Sequence, residues 1–401
     1  MRHRPLHRGL SRDIRHLWLI ALFIGSSAVA LRPSLALAMI APTALPTVQG
    51  TRADGQTPVF AYYYIWFTPG SWSRAKVDLP LLGRYSSADP KIIAQHVRWA
   101  KDAGIDGFIV SWKHEPRLDA PLKALIDEAH RQDFKLILLY QGLDFNRDPI
   151  GIQRVAADLR WFEATYGSDP AFSVFGPPVV IWSGTWKYSL SDIATVRSQI
   201  GAPTRLLLLG SDRSADEYGA RRAVLDGDAY YWSSADPQRT PGYASRLEAL
   251  ARAVSKSGGK WIAPVAPGFD ARLIGGTTVV PRRGGDTYRS AWSVAKSEQP
   301  SAIGIISWNE FSENSHIEPS ESNRDAYLTI TGDLTGHVRR PSETILPGEI
   351  AAPGSLDVDS SELAVSVTAE QQLLSLLVSA ALLGLIALSA VLTRTRRQGT
   401  D

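Results

Sequence analysis

The segment Ile305-Ile306-Ser307-Trp308-Asn309-Glu310-Phe311-Ser312-Glu313-Asn314-Ser315-His316-Ile317-Glu318-Pro319 carries the sharpest chemistry in the chain. Glu310 and Glu313 leave the end of an apolar run three residues apart, with Asn309 beside the first and Trp308 and Phe311 around it. Cleavage of a glycosidic bond needs a proton donor to the leaving oxygen and a second carboxylate near the anomeric centre. One carboxyl must stay protonated near neutral pH while the other ionises, which burial and a neighbouring charge can arrange. A Glu-x-x-Glu pair by itself more often marks a solvated helix face. The preceding strand and the flanking aromatics favour the catalytic reading.

Other apolar runs also end in residues suited to holding sugars: Tyr64 and Trp66, Ser111-Trp112-Lys113-His114, Tyr140-Gln141, Trp182 to Trp186, Tyr231-Trp232 and Pro267-Gly268-Phe269-Asp270. Flat apolar faces stack on the C–H faces of sugar rings, and adjacent polar groups fix the hydroxyls. His114 and His316, at strand ends, are candidates for substrate contact, whereas His96 and His130 fall on helices and read as surface groups. Asp144 and Asp148 read as acidic loop residues, and Glu318 as a support for the site or a salt-bridge partner. No His-Glu-x-x-His, no metal-spaced carboxylate cluster and no Gly-x-Gly-x-x-Gly after the first strand is present, so no metal or cofactor is expected.

Positioning these residues requires strands that end together. Residues 57–334 alternate short apolar runs with longer amphipathic ones eight times. The predicted strands are 59–65, 107–112, 135–140, 179–182, 205–209, 229–232, 261–265 and 302–308. The predicted helices are 90–103, 118–132, 149–166, 189–200, 214–225, 241–257, 286–298 and 323–331. Asp89-Pro90 opens the first helix and Gly104 closes it. Eight units at this length predict an α/β fold, a (β/α)8 TIM barrel, whose active face is made by the strand C-termini and the loops after them. A doubly wound sheet shares the local pattern, and the number of units separates the two.

Charge placement removes other classes. The chain has 43 Lys and Arg against 40 Asp and Glu, but the ends hold nine of the arginines and two of the aspartates, leaving the body at about −4. No nucleic-acid surface is expected. The absence of Cys excludes a disulfide framework and a Cys nucleophile.

The Arg-rich N-terminus, the apolar run Leu17–Ile24 and Ala36-Leu37-Ala38 predict a signal peptide over 1–38; a retained anchor is the second reading, because Arg32-Pro33 interrupts the apolar region. A linker over 39–56 and a Pro/Ser/acidic spacer over 335–370 flank the barrel. Leu373 to Leu392 carries no charge and is long enough to cross a bilayer, giving a transmembrane helix over 371–393. Arg394, Arg396 and Arg397 in the 394–401 tail set its C-terminus in the cytoplasm. The expected partners are therefore an oligo- or polysaccharide and, through the C-terminal helix, the cell membrane, with the barrel outside.

The Glu310 segment resembles the Asn-Glu-Trp-x-Glu-Gly-x-x-Ile-Glu signature of glycoside hydrolase family 99, the endo-α-mannosidases and endo-α-mannanases. Tyr63-Tyr64-Ile65-Trp66-Phe67, Asp106 to Trp112, Asp226 to Tyr231 and Pro267-Gly268-Phe269-Asp270 are similar to further segments of that family, over about residues 57–334. The resemblance implies retaining hydrolysis through a 1,2-anhydro sugar. Glu310 would deprotonate the substrate's 2-hydroxyl, and Glu313 would act as acid and then base. It also implies a pocket lined by Tyr64, Trp66, Trp112, Tyr231 and Asn309, with Arg283 reaching a substrate hydroxyl and Gln141 standing where the family has a sugar-binding Glu. Ser312 and Asn314 replace the family's His and Gly around the second Glu, and Phe269 replaces a Tyr. Two other readings stay open: a non-catalytic glycan-binding protein on the same barrel, supported by the changes at Gln141 and Phe269, and a glycan-synthesis protein, which export disfavours.

Overall fold

The computed structural model describes residues 55–200 and 206–337. The strands are β1 Val59–Tyr64, β2 Gly107–Trp112, β3 Lys135–Tyr140, β4 Val179–Trp182, β5 Leu207–Gly210, β6 Gly227–Asp228, β7 Lys260–Val265, β8 Phe269–Asp270, β9 Val279–Val280 and β10 Ala302–Ile305. The helices are α1 Pro90–Asp102, α2 Pro116–Gln132, α3 Ile152–Tyr166, α4 Leu190–Gln199, α5 Ala215–Arg221, α6 Tyr243–Lys256, α7 Asp286–Ser297 and α8 Ala326–Thr335. β1 to β7 and β10 pair in sequence order, β10 returns to β1, and the parallel sheet closes into a barrel. β8 and β9 form a separate antiparallel hairpin after β7. The predicted eight-unit barrel is thus observed.

Alternation along the strands divides the core in two, because successive side chains point to opposite faces. Phe60 and Tyr62 join Ile109, Ile137, Leu139, Ile181 and Ile262 in the barrel interior. Ala61, Tyr63, Phe108, Val110, Leu138 and Val180 face the helices. The helices answer with apolar stripes, such as Ile92, Ile93, Val97 and Ala100 on α1. α1 begins where the sequence places it: Asp89 accepts a hydrogen bond from the Lys91 amide at 2.9 Å, and Pro90 occupies the first turn, where no N–H is needed.

Two strands fall short of expectation by two residues or more. β6 is only Gly227–Asp228, not 229–232: these two residues pair with both neighbours, and the aromatic run after them turns toward the loops. Gly227 is needed there because a Cβ would sit 2.0 Å from the Lys260 carbonyl oxygen. β10 stops at Ile305; beyond it the Trp308 amide still donates to the Tyr62 carbonyl at 2.8 Å, carrying Glu310 out of the barrel mouth.

Among the described residues no helix is long and apolar enough to cross a membrane. The expected signal peptide, the 335–370 spacer beyond residue 337, the 371–393 helix and the basic tail lie outside the described residues.

Candidate active site

At the C-terminal ends of the strands a cleft of about 520 Å³ opens, and both Glu310 and Glu313 line it. The carboxylates sit on a loop that folds back onto its own strand. The Ser307 amide donates to the Ser315 carbonyl at 2.8 Å, and the Glu318 amide donates to the Trp308 carbonyl at 2.8 Å. Ser307 Oγ accepts from the Glu310 amide at 2.8 Å. The Glu310 carboxylate accepts from the Ser312 amide at 3.0 Å. The Glu313 carbonyl accepts from the Asp270 amide at 2.7 Å, so the Pro-Gly-Phe-Asp segment holds the backbone of the second acid.

Electrostatics separates the two acids from ordinary surface glutamates. Burial, then the nearby charge of Glu313, pushes Glu310 up to about 7, against the hydrogen bond from Ser312 and the positive charge of Lys76. Burial also raises Glu313, and the Arg147 guanidinium opposes that rise. Glu310 is the more deeply buried, at 7% exposure, while Glu313 is partly exposed.

Tyr64, Trp66, Gln141 and Tyr231 line the same cleft, as expected. The Tyr64 and Tyr231 hydroxyls lie 2.7 Å apart, and burial raises both phenols well above their ordinary value. Gln141 Nε2 donates to Ser111 Oγ at 3.0 Å.

Three expected lining residues lie elsewhere. Trp112 is fully buried on the helix side of β2, where its indole N–H donates to Asp119 at 2.8 Å and its ring stacks on Trp161. Its neighbour Ser111 faces the cleft instead. Asn309 is sealed: its Oδ1 accepts from the Tyr64 amide at 2.8 Å and its Nδ2 donates to the Tyr64 carbonyl at 2.9 Å. It holds the Tyr64 backbone and does not line the cleft. Arg283 pairs with Asp236, Nη1 to Oδ1 at 3.1 Å, and does not line the cleft.

The adjacent Arg282 has the structural role. It donates to the carbonyls of Asn314 at 3.0 Å and His316 at 2.8 Å, clamping the loop that carries Glu313. His316 is buried, stacked on Phe311 and bonded to Asp78, and burial pushes its imidazole down to about 4. His114 stacks on Trp161 and pairs with Asp119, away from the cleft. His130 does lie at the surface, paired with Asp169. His96, expected there too, is completely buried: its Nε2 lies 3.1 Å from Glu318 Oε1 and its Nδ1 3.0 Å from the Tyr63 hydroxyl. Glu318 also accepts from Tyr85 at 2.8 Å, and Tyr85 borders Asn309, so it supports Tyr64 from below. Asp144, read as an acidic loop residue, also lines the cleft, as do Arg147 and Arg213, not singled out from the sequence, the last with its guanidinium 4.2 Å above the Trp186 ring. Among the described residues no three His, Cys, Asp or Glu side chains converge as metal ligands.

A family model described as glycosyl hydrolase family 71 matches residues 81–335. The chain belongs to glycosyl hydrolase family 71. It is 25% identical over 276 residues to the glycoprotein endo-alpha-1,2-mannosidase of Rattus norvegicus, covering 62% of this chain and 57% of that protein. It is 24% identical over 281 residues to a glycoprotein endo-alpha-1,2-mannosidase-like protein of Homo sapiens, covering 62% and 59%. The chain therefore spans less than two thirds of the length of these curated relatives. A solved GH99 endo-alpha-mannosidase from Bacteroides thetaiotaomicron superposes with a TM-score of 0.63 at 22% identity, covering 70% of this chain and 97% of that one. That likeness shows the shared barrel. The resemblance to family 99 read from the sequence is thus met by these relatives, in a member of family 71.

Proposed function

We propose that this family 71 protein is an endo-acting glycoside hydrolase on α-mannose-type glycans, retaining through a 1,2-anhydro sugar. The observation that carries the reading is the opening of Glu310 and Glu313 into one aromatic-walled cleft at the strand C-termini. Glu310 takes the proton of the substrate's 2-hydroxyl, whose oxygen attacks the anomeric carbon as the glycosidic bond breaks. Glu313 gives its proton to the leaving oxygen, then takes one from the water that opens the anhydro ring, as Glu310 returns its proton to the 2-oxygen. Burial alone would keep Glu310 protonated near neutral pH. A hydroxyl donating to its carboxylate stabilises the anion and corrects that balance. Tyr64, Trp66, Gln141 and Tyr231 orient the ring. The apolar stretch Leu373–Leu392 and the arginines after it support export and tethering by one C-terminal span.

The test is release of reducing ends from α-mannan by the purified chain and its Glu313→Gln variant. The variant is expected to lose about 10²–10⁴ in rate, the usual contribution of positioned proton transfer. Equal cleavage by both overturns the roles, and saturable binding without cleavage by the native chain makes it a glycan-binding protein instead.

A further inference from the structure

The turn between β3 and α3 carries Phe145 at its tip, and the ring is 100% exposed. Among the described residues it is the one exposed Phe, Tyr or Trp side chain. A free phenyl ring leaves apolar area in water at a position that any polar residue would fill at lower cost.

The turn is built to hold that tip. Leu143 and Pro149 form an antiparallel bridge. The Asp144 amide donates to the Asp148 carbonyl at 2.9 Å, the Asp148 amide to Asp144 Oδ1 at 2.9 Å, and the Arg147 amide to the Asp144 carbonyl at 3.0 Å. At the base, the Tyr188 hydroxyl donates to the Gly142 and Ile150 carbonyls and ties the turn to the segment after β4. Arg147 adopts a φ of 65°, a left-handed conformation in which a side chain other than Gly or Asn is uncommon. The turn is also continuous with the cleft, since Leu143, Asp144 and Arg147, on both sides of Phe145, line it.

We propose that this turn forms an outer sugar subsite, in which Phe145 stacks on a ring of the glycan chain beyond those held beside Glu310 and Glu313. The inference rests on the glycosidase reading and deepens it: the substrate is a chain longer than the cleft itself accommodates. A ring reaching Phe145 gains apolar contact with a surface that a short sugar leaves bare.

The experiment uses the full chain carrying Glu313→Gln, so that sugars bind without being consumed, and measures calorimetric affinity for α-1,2-linked mannobiose and mannopentaose. Adding Phe145→Ala is expected to weaken mannopentaose binding about tenfold, roughly 1.4 kcal/mol, with mannobiose unchanged. Phe145→Trp keeps the parent affinity for both. Because the ring touches no core, an unchanged unfolding midpoint shows that the variants fold. If Phe145→Ala binds both sugars as tightly as its parent, the subsite is overturned and the glycosidase reading stands. Equal weakening for both sugars overturns the outer placement. If the parent binds neither sugar, the mannan reading fails and takes the subsite with it.

Discussion

Two pairs of acids stand at the C-terminal ends of the barrel strands, and only one opens into the cleft. Glu310 and Glu313 line the cleft, whereas Asp212, just after β5, and Asp228, the last residue of β6, are both completely buried. The Asp212 amide donates to Asp228 Oδ2 at 2.8 Å, and Thr185 Oγ1 donates to Asp212 Oδ1 at 3.0 Å. Arg221 lies 3.4 Å from Asp212, with Arg213 and Glu217 also acting on it, and Tyr62 and Tyr218 face Asp228. One oxygen of each aspartate is buried with no hydrogen-bond partner. Burial, then the charge of Asp212, raises Asp228 well above the usual carboxylate range, and burial raises Asp212. Like charge and desolvation thus perturb both pairs. Perturbed acidity by itself does not mark a catalytic group; access to a bound ring does.

The comparison breaks most readily on activity. Glu310→Gln is expected to lower reducing-end release from α-mannan by about 10²–10⁴, whereas Asp228→Asn, beneath the same face, is expected to keep the native rate within a few fold. If the aspartate variant is as inactive as the glutamate variant, the sealed pair belongs to the chemistry and the distinction drawn from access fails.

That distinction shows how much the sequence reveals. The eight apolar runs are legible because their bounds and number have a physical origin, and six of the barrel strands stand within about two residues of expectation. β6 is not legible, because its ladder residues Gly227 and Asp228 carry no apolar signal while the aromatics after them do. That Glu310 and Glu313 open into the cleft is legible from their place after the last strand. The error at Trp112 has a simple cause. Phe108, Val110 and Trp112 share the helix-facing side of β2, so Ile109 and Ser111 point inward. The same alternation puts Tyr140 and Trp182 outside and Gln141 and Ser183 in the cleft. A strand-end aromatic must therefore be judged by its parity with the interior residues. No such period exists in the loop holding Arg282 and Arg283, so sequence offers no way to choose between neighbours, one of which clamps the loop that carries Glu313. His96 meets Glu318, and Tyr64 meets Asn309, only through tertiary contacts between residues more than two hundred positions apart in the chain.

The sealed pair should instead show itself in stability. Asp228→Ala and Asp228→Asn both remove the titratable carboxyl, but only Asn keeps an acceptor for the Asp212 amide. The Ala variant is expected to be less stable than the Asn variant by about 1–3 kcal/mol, the cost of a buried group left without its hydrogen bond. Urea unfolding of the two variants at one pH gives the difference directly. Equal stabilities would mean that the amide finds another partner.

The pH dependence of stability sharpens the contrast further. Asp228 binds its proton more tightly folded than unfolded, where an Asp titrates near 3.9. Its contribution is complete below that value and is lost as pH rises through the folded pKa. Asp228→Asn is expected to flatten the decline in urea midpoint above about pH 4. Some decline remains in both proteins, because burial also pushes Glu310 and Glu298 up to about 7 and their contributions fall away between about 4.5 and 7. A variant with the native slope would mean that the proton sits elsewhere.

The smallest effect probes the open pair through solvent. The positive charge of Lys76 acts on Glu310 and favours its anion. If Glu310 is the base, activity falls as pH drops through its pKa, and Lys76→Met moves that acid limb to higher pH while leaving the rate on the alkaline side of the limb unchanged. The limb belongs to the coupled pair, so its displacement, not its absolute position, reports on Lys76. Added salt should shrink the displacement, because a cation acting through partly open surroundings is screened. The sealed aspartates offer salt no such path, and the stability slope they set should change little over the same range of ionic strength. A Lys76→Met profile that coincides with the native one at low salt would remove Lys76 from the control of Glu310.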